Sequence, residues 1–223
     1  MLIPGAWHGA WCWNRVAASL HGNGHEVVCL DLPQSGSLES WARLVVDILR
    51  AGAPPVLVGH SRGGVVISRA AELAPDAVKR LVYVAAYLLP AGGTVSEAAR
   101  ADQASLVAPN MIPARGGITC SLAARVVHDA FYGCCTDADA TDAASKLAPE
   151  PLKPLVTPLE TTDRRFGRVP RAYVETLRDR ALSIDAQRSM RAALPCDPVL
   201  TLDTDHSPFL SRPAELAEWL GGL

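Results

Sequence analysis

A chain of 223 residues, 49% of them hydrophobic, is long enough for one α/β domain with a small insertion and a sizeable core. Its formal net charge of −2, with no basic cluster, argues against nucleic acid or an anionic membrane as partner and leaves a small molecule. Six cysteines (Cys12, Cys29, Cys120, Cys134, Cys135, Cys196) show no metal-ligand spacing, and several fall in apolar runs, as buried thiols in a reducing cytoplasm do.

Met1 to Ile3 is apolar and stops at Pro4-Gly5, so the chain opens within its first strand, as it would if a few residues preceded Met1. That start carries neither a charged region nor a long apolar one, and no run approaches a membrane span. A Gly- and Trp-rich loop over residues 6–13 leads to a helix with Val16 and Leu20 on one face, ended by Gly22-Asn23-Gly24. Residues 25–32 read as a second strand, closed by Pro33 and a Gln34-Ser35-Gly36-Ser37 turn. Over residues 38–51, Trp41, Leu44, Val45, Ile48 and Leu49 recur at helical spacing before Gly52.

The stretch that organises the rest is Pro54-Pro55-Val56-Leu57-Val58-Gly59-His60-Ser61-Arg62-Gly63-Gly64, with an Ala-rich helix over residues 65–73. A short buried strand runs into a helix with Ser61 on the turn between them. Gly59-x-Ser61-x-Gly63 has the spacing of a nucleophile elbow, a strained turn that lifts a hydroxyl above the sheet. The pattern alone is weak; its strand–turn–helix setting raises it above a plain serine N-cap.

Residues 80–86 form another unbroken apolar strand. Residues 88–168 break the rhythm, being rich in Pro, Gly, Ala and Thr, with helical pieces at 122–131 and 141–147 and no convincing strand. This stretch reads as a cap above the sheet, since so long a structureless loop is improbable in a compact domain. A strand at 171–177, a helix at 184–194, a strand at 198–202 and a helix at 214–220 complete the chain. Apolar strands alternating with amphipathic helices indicate a mostly parallel sheet of about six strands, covered on both faces. Residues 1–87 and 169–223 are thus expected as the core and 88–168 as a small, mainly helical cap insertion.

A serine hydroxyl needs a base, and the base needs a carboxylate to hold its tautomer. In elbow-bearing folds the chain order is Ser, then Asp or Glu, then His. His206, the only histidine after His128, fits as base; His8 and His60 lie before or beside the serine. Asp179 directly follows its strand and is favoured as the acid, with Asp203 and Asp205 as neighbours that shape the loop. Flanking Arg178 and Arg180 offer Asp179 the alternative of a surface ion pair. The oxyanion donors expected from this logic are the backbone N–H groups of Arg62 and Ala6. Trp7, Trp11 and Trp13 are candidates for an acyl pocket or for core packing. Cap residues Leu106, Val107, Met111, Ile112, Leu122, Val126, Val127, Phe131 and Leu155 suggest an apolar roof, and Trp7, Met111 and Phe131 are the substrate contacts expected from it.

Residues 3–13 (Ile3-Pro4-Gly5-Ala6-Trp7-His8-Gly9-Ala10-Trp11-Cys12-Trp13), the elbow, the run Asp163 to Arg171 and Asp205-His206-Ser207-Pro208 resemble the plant methylesterase and hydroxynitrile lyase branch of the α/β-hydrolase superfamily, with its bacterial carboxylesterase relatives, pyrethroid-hydrolysing ones included. The resemblance covers nearly the whole chain except the cap. It implies the α/β-hydrolase fold, Ser61 as nucleophile, Asp179 as acid, His206 as base and Ala6 and Arg62 as oxyanion donors. Many members carry His-Gly where this chain has Pro4-Gly5. The lyases need a threonine where Gly5 stands and a lysine where Ser207 stands, so the resemblance favours ester hydrolysis over cyanohydrin cleavage. The expectation is a cytoplasmic serine carboxylesterase for a small to medium hydrophobic ester, with no metal or organic cofactor. Lactone or carbon–carbon hydrolysis, a non-catalytic receptor role and a homodimer stay open.

Overall fold

The computed structural model describes residues 1–49 and 53–223; the expected end of the second helix, at 50–52, lies outside the described residues. In chain order the elements are β1 (Leu2–Ile3), α1 (Asn14–Gly22), α2 (Leu38–Leu49), β2 (Val56–His60), α3 (Gly63–Leu73), β3 (Arg80–Val84), α4 (Val95–Ala101), β4 (Met111–Pro113), β5 (Thr119–Leu122), α5 (Ala124–Phe131), α6 (Asp137–Ser145), β6 (Glu150–Pro151), α7 (Leu152–Val156), β7 (Arg171–Thr176), α8 (Ile184–Ala193), β8 (Val199–Leu202), α9 (Pro208–Ser211) and α10 (Pro213–Gly221).

The main sheet has the order β1-β2-β3-β7-β8, with every pairing parallel. Its inner strands are buried almost throughout, so alternate residues serve opposite faces. Leu57, Leu81, Tyr83 and Tyr173 join one apolar layer with Trp41, Val45 and Val66 of α2 and α3. Val58, Val82, Val84, Ala172 and Val174 join the other with Val16, Leu20 and Leu216 of α1 and α10. Thus the helices cover both faces, and the turns after β2, β7 and β8 emerge at one rim.

The sheet holds five strands where six were expected. Residues 25–32 contribute a single parallel bridge, Leu2 to Cys29, held by Leu2 N–H to Val28 O at 2.8 Å and Leu30 N–H to Leu2 O at 3.0 Å. Its neighbour β1 has only two residues to pair with, so no longer ladder forms there. A second correction concerns the segment between β3 and β7, where no strand was expected. It contains a three-stranded antiparallel sheet of order β4-β5-β6 beside α4 to α7. These strands run two to four residues and two of them end in proline, too short for any alternation to register.

No helix among the described residues is long and apolar enough to cross a membrane. All six cysteines are free, Cys12 and Cys120 buried and the rest half-buried.

Candidate active site

Ser61 occupies the turn between β2 and α3 with φ of +50°, left-handed backbone that a non-glycine residue adopts only when its surroundings impose it. They do: Ser61 N–H donates to Val84 O at 3.2 Å, and Ser61 O accepts from Gly64 and Tyr87 N–H, both at 3.0 Å. A Cβ on Gly59 would lie 2.6 Å from Gly63 O, and one on Gly63 would lie 2.9 Å from Ile3 O, so the turn closes only with glycine on each side. The N-cap of α3 is Arg62, without a side-chain cap, so Ser61 is not a helix-capping serine.

His206 lies in the turn between β8 and α9, 2% exposed, with Nδ1 2.7 Å from Asp179 Oδ2. A carboxylate can only accept, so Nδ1 carries the proton and Nε2 is left as the ring's basic atom. Asp179 is itself held firmly. Oδ1 accepts from Ala181 and Leu182 N–H at 2.8 Å each, and Oδ2 from Thr176 Oγ1 and Gln187 Nε2 at 3.1 Å each. The flanking arginines pair elsewhere, Arg178 with Asp203 and Arg180 with Asp129, both in solvent. Asp205 shapes the loop: Oδ1 accepts from Ser207 N–H at 3.0 Å and Oδ2 from Cys134 N–H at 2.7 Å.

Ser61 and His206 open onto one cavity of about 400 Å³, which Ala6 and Arg62 also line. The serine hydroxyl and the imidazole are not hydrogen-bonded to each other; contacts of this kind commonly tighten only in the substrate complex. Among the described residues neither the Ala6 nor the Arg62 amide donates to a protein acceptor. Both are therefore free for a ligand oxygen.

Trp7, Met111 and Phe131 all line this cavity, with Tyr87, Val95, Ala99, Val107 and Leu155 completing a largely apolar wall. Phe131 stacks on His206 with centroids 5.6 Å apart. Trp11 and Trp13 do not reach it. Trp13 is fully buried against Phe209, and Trp11 stacks on His8 at 5.5 Å. Of the expected roof, Ile112 faces solvent, while Leu122 and Val127 pack away from the cavity.

Sequence reasoning missed Tyr87, Val95 and Ala99. The signal was available for the last two: Thr94 caps Glu97 N–H at 3.1 Å, opening a helix whose i, i+4 pair faces inward. It also missed the Arg62 side chain, which is buried against Glu150 of β6.

Two further histidines sit behind the site. His60 Nε2 donates to the His206 carbonyl at 2.8 Å, and burial pushes its pKa well below the usual value. His8 lies between Ala6 O at 2.8 Å and Tyr132 OH at 2.9 Å, and burial pushes its pKa down to about 3. Both rings are neutral and structural in this setting. No cluster of three or more metal-ligating side chains occurs among the described residues.

Residues 1–219 match the alpha/beta hydrolase family. Esterase PIR7B of Oryza sativa subsp. japonica is 30% identical over 251 residues, covering 99% of this chain and 93% of that one. A chloroplastic Arabidopsis thaliana relative named for methylesterases is 30% identical over 242 residues, covering 99% of this chain but 62% of its own length. Among solved structures, a pyrethroid hydrolase from Sphingobium faniae JZ-2 superposes with a TM-score of 0.88 at 29% identity, covering 99% of this chain and 94% of that one.

Proposed function

Because the chain belongs to the alpha/beta hydrolase family, we propose that this esterase-type member is a serine carboxylesterase acting on a small to medium hydrophobic ester. The supporting observation is the 2.7 Å contact from His206 Nδ1 to a fully hydrogen-bonded Asp179, with Ser61 and His206 opening on one apolar cavity. In the proposed reaction His206 Nε2 takes the Ser61 proton as the oxygen attacks the ester carbonyl. The amides of Ala6 and Arg62 receive the oxyanion, and His206 returns the proton to the leaving alkoxide. Water, activated by the same imidazole, then hydrolyses the acyl-enzyme. The scheme calls for no metal or organic cofactor. A cytoplasmic location, argued from thiols in apolar surroundings, belongs to the same reading.

The lyase alternative fits the site less well. A Cβ on Gly5 would lie 2.7 Å from His60 Nδ1 and 2.8 Å from Ser61 Cβ, leaving no room for the threonine that cyanohydrin cleavage requires. Ser207 is fully buried, so its position presents no side chain to the cavity where a lysine would be needed. Ser61→Ala should fold normally and lose p-nitrophenyl ester turnover; turnover at the parent rate would overturn the proposal.

A further inference from the structure

The geometry points to Glu150 as a positioning residue that, through the Arg62 side chain, holds the loop bearing the Ala6 amide. The inference rests on the serine-esterase reading, in which that amide and the Arg62 amide receive the oxyanion.

The Arg62 and Glu150 side chains are 3% and 5% exposed, and Nε stands 2.9 Å from Oε1. That approach is an ion pair without hydrogen-bond alignment, since both atoms lack an aligned partner. Directed bonds run to the loop instead. Arg62 Nη2 donates to Gly5 O at 3.0 Å and more weakly to Glu150 Oε2 at 3.4 Å. Glu150 Oε2 also accepts from Trp7 N–H at 3.1 Å. The residues on either side of Ala6 are thus both tied to one buried pair, while Ala6 N–H stays free. Trp7 needs the restraint, because its φ is +62°. Ala148 N–H to Trp7 O at 2.9 Å adds a second tie from the same stretch, and the guanidinium lies 4.6 Å over the Trp41 ring.

A buried ion pair is a poor source of stability, and apolar residues of similar volume commonly replace one without loss. Its distinctive product here is the fixed position of two peptide groups. Oxyanion donors act when held about 2.7–3.1 Å from the position where the charge develops. Residue 62 therefore serves twice, its amide as a donor and its side chain as the tether of the other donor.

The discriminating test is the double variant Arg62→Met/Glu150→Leu, which removes the charges together and keeps the volume. We expect kcat for p-nitrophenyl acetate to fall about 10- to 100-fold with KM within about twofold. Affinity for a trifluoromethyl ketone, which forms a tetrahedral adduct on the serine, should weaken in parallel with kcat/KM. A purely structural pair predicts recovery instead, so a folded double variant with parental kcat overturns the inference. If the double variant does not fold, the isosteric Glu150→Gln carries the test, with kcat expected about tenfold down and KM unmoved; parental kcat there overturns it equally. Ser61→Ala, assayed alongside, separates the two readings. Surviving turnover in that control removes the esterase scheme itself, whereas a dead control beside a fully active Glu150→Gln removes only the tether.

Discussion

The imidazole of His206 meets the Asp179 carboxylate at 2.7 Å, and the other hydrogen bonds to that carboxylate come from Thr176, Ala181, Leu182 and Gln187, one short stretch beginning at the end of β7. The carboxylate is thus oriented by groups at and just after its own strand end as well as by the histidine. An amide in its place would favour the wrong imidazole tautomer. Asp179→Asn should therefore lower kcat by about four powers of ten with little change in thermal midpoint. Asp203→Asn, whose carboxylate pairs with Arg178 in solvent, should stay within about twofold of the parent. The reverse ranking in an ester assay would move the acid elsewhere.

Two glycine substitutions should act with opposite sign. A Cβ on Gly64 would press on the Tyr87 carbonyl and sit 3.1 Å from Ala86 Cβ, so Gly64→Ala should destabilise by about 1–3 kcal/mol. Gly22, the last residue of α1, has open space around it, and Gly22→Ala should stabilise by about 0.5 kcal/mol. Urea midpoints of the two variants check both signs.

Met111 and Phe131 both line the cavity, and the Phe131 ring also stacks on the histidine. Met111→Ala should shift the preference of a p-nitrophenyl ester series toward longer acyl chains while sparing kcat on the best substrate. Phe131→Ala should lower kcat on every member, because it frees the His206 ring as well as enlarging the space. Equal kcat losses in the two variants would contradict this division.

Acid should weaken the fold through His8. Burial pushes its folded pKa to about 3, whereas an unfolded chain binds its proton near the ordinary 6.5. The unfolded state thus holds more protons between those values, and stability falls as pH drops through the window. At pH 5 the loss from His8 is about 2 kcal/mol, with His60 acting in the same direction. Urea unfolding at pH 7.5 and pH 5 measures it, and His8→Gln should lose less on acidification than the parent.

Much of the architecture was legible because the signals were local. Val56 to Val58 and Leu81 to Val84 are apolar in consecutive residues, as strands covered on both faces must be, and Gly59 and Gly63 flank a serine that needs them. What escaped was set by distance or brevity. Glu150 sits among prolines as though in a turn, and its burial depends on an arginine 88 positions earlier. Helix α6 begins at Asp137 rather than 141 because Thr136 caps Asp139 N–H at 3.2 Å, a short-range cue outweighed by the apolar pattern. Residues 25–32 have the composition of a strand but only a two-residue neighbour to ladder with.

Trp7, Ser61 and Ala85 are the non-glycine residues with positive φ among those described, and they follow β1, β2 and β3 in turn. Each such conformation costs about 1–3 kcal/mol, so the molecule concentrates its conformational debt at the rim beside the cavity that Trp7 and Ser61 line. A laboratory search for hardier descendants should accordingly collect its gains far from this rim. Ala85, whose side chain is a single methyl group, is the member of the trio at which a switch to glycine relaxes the debt while removing the fewest side-chain atoms.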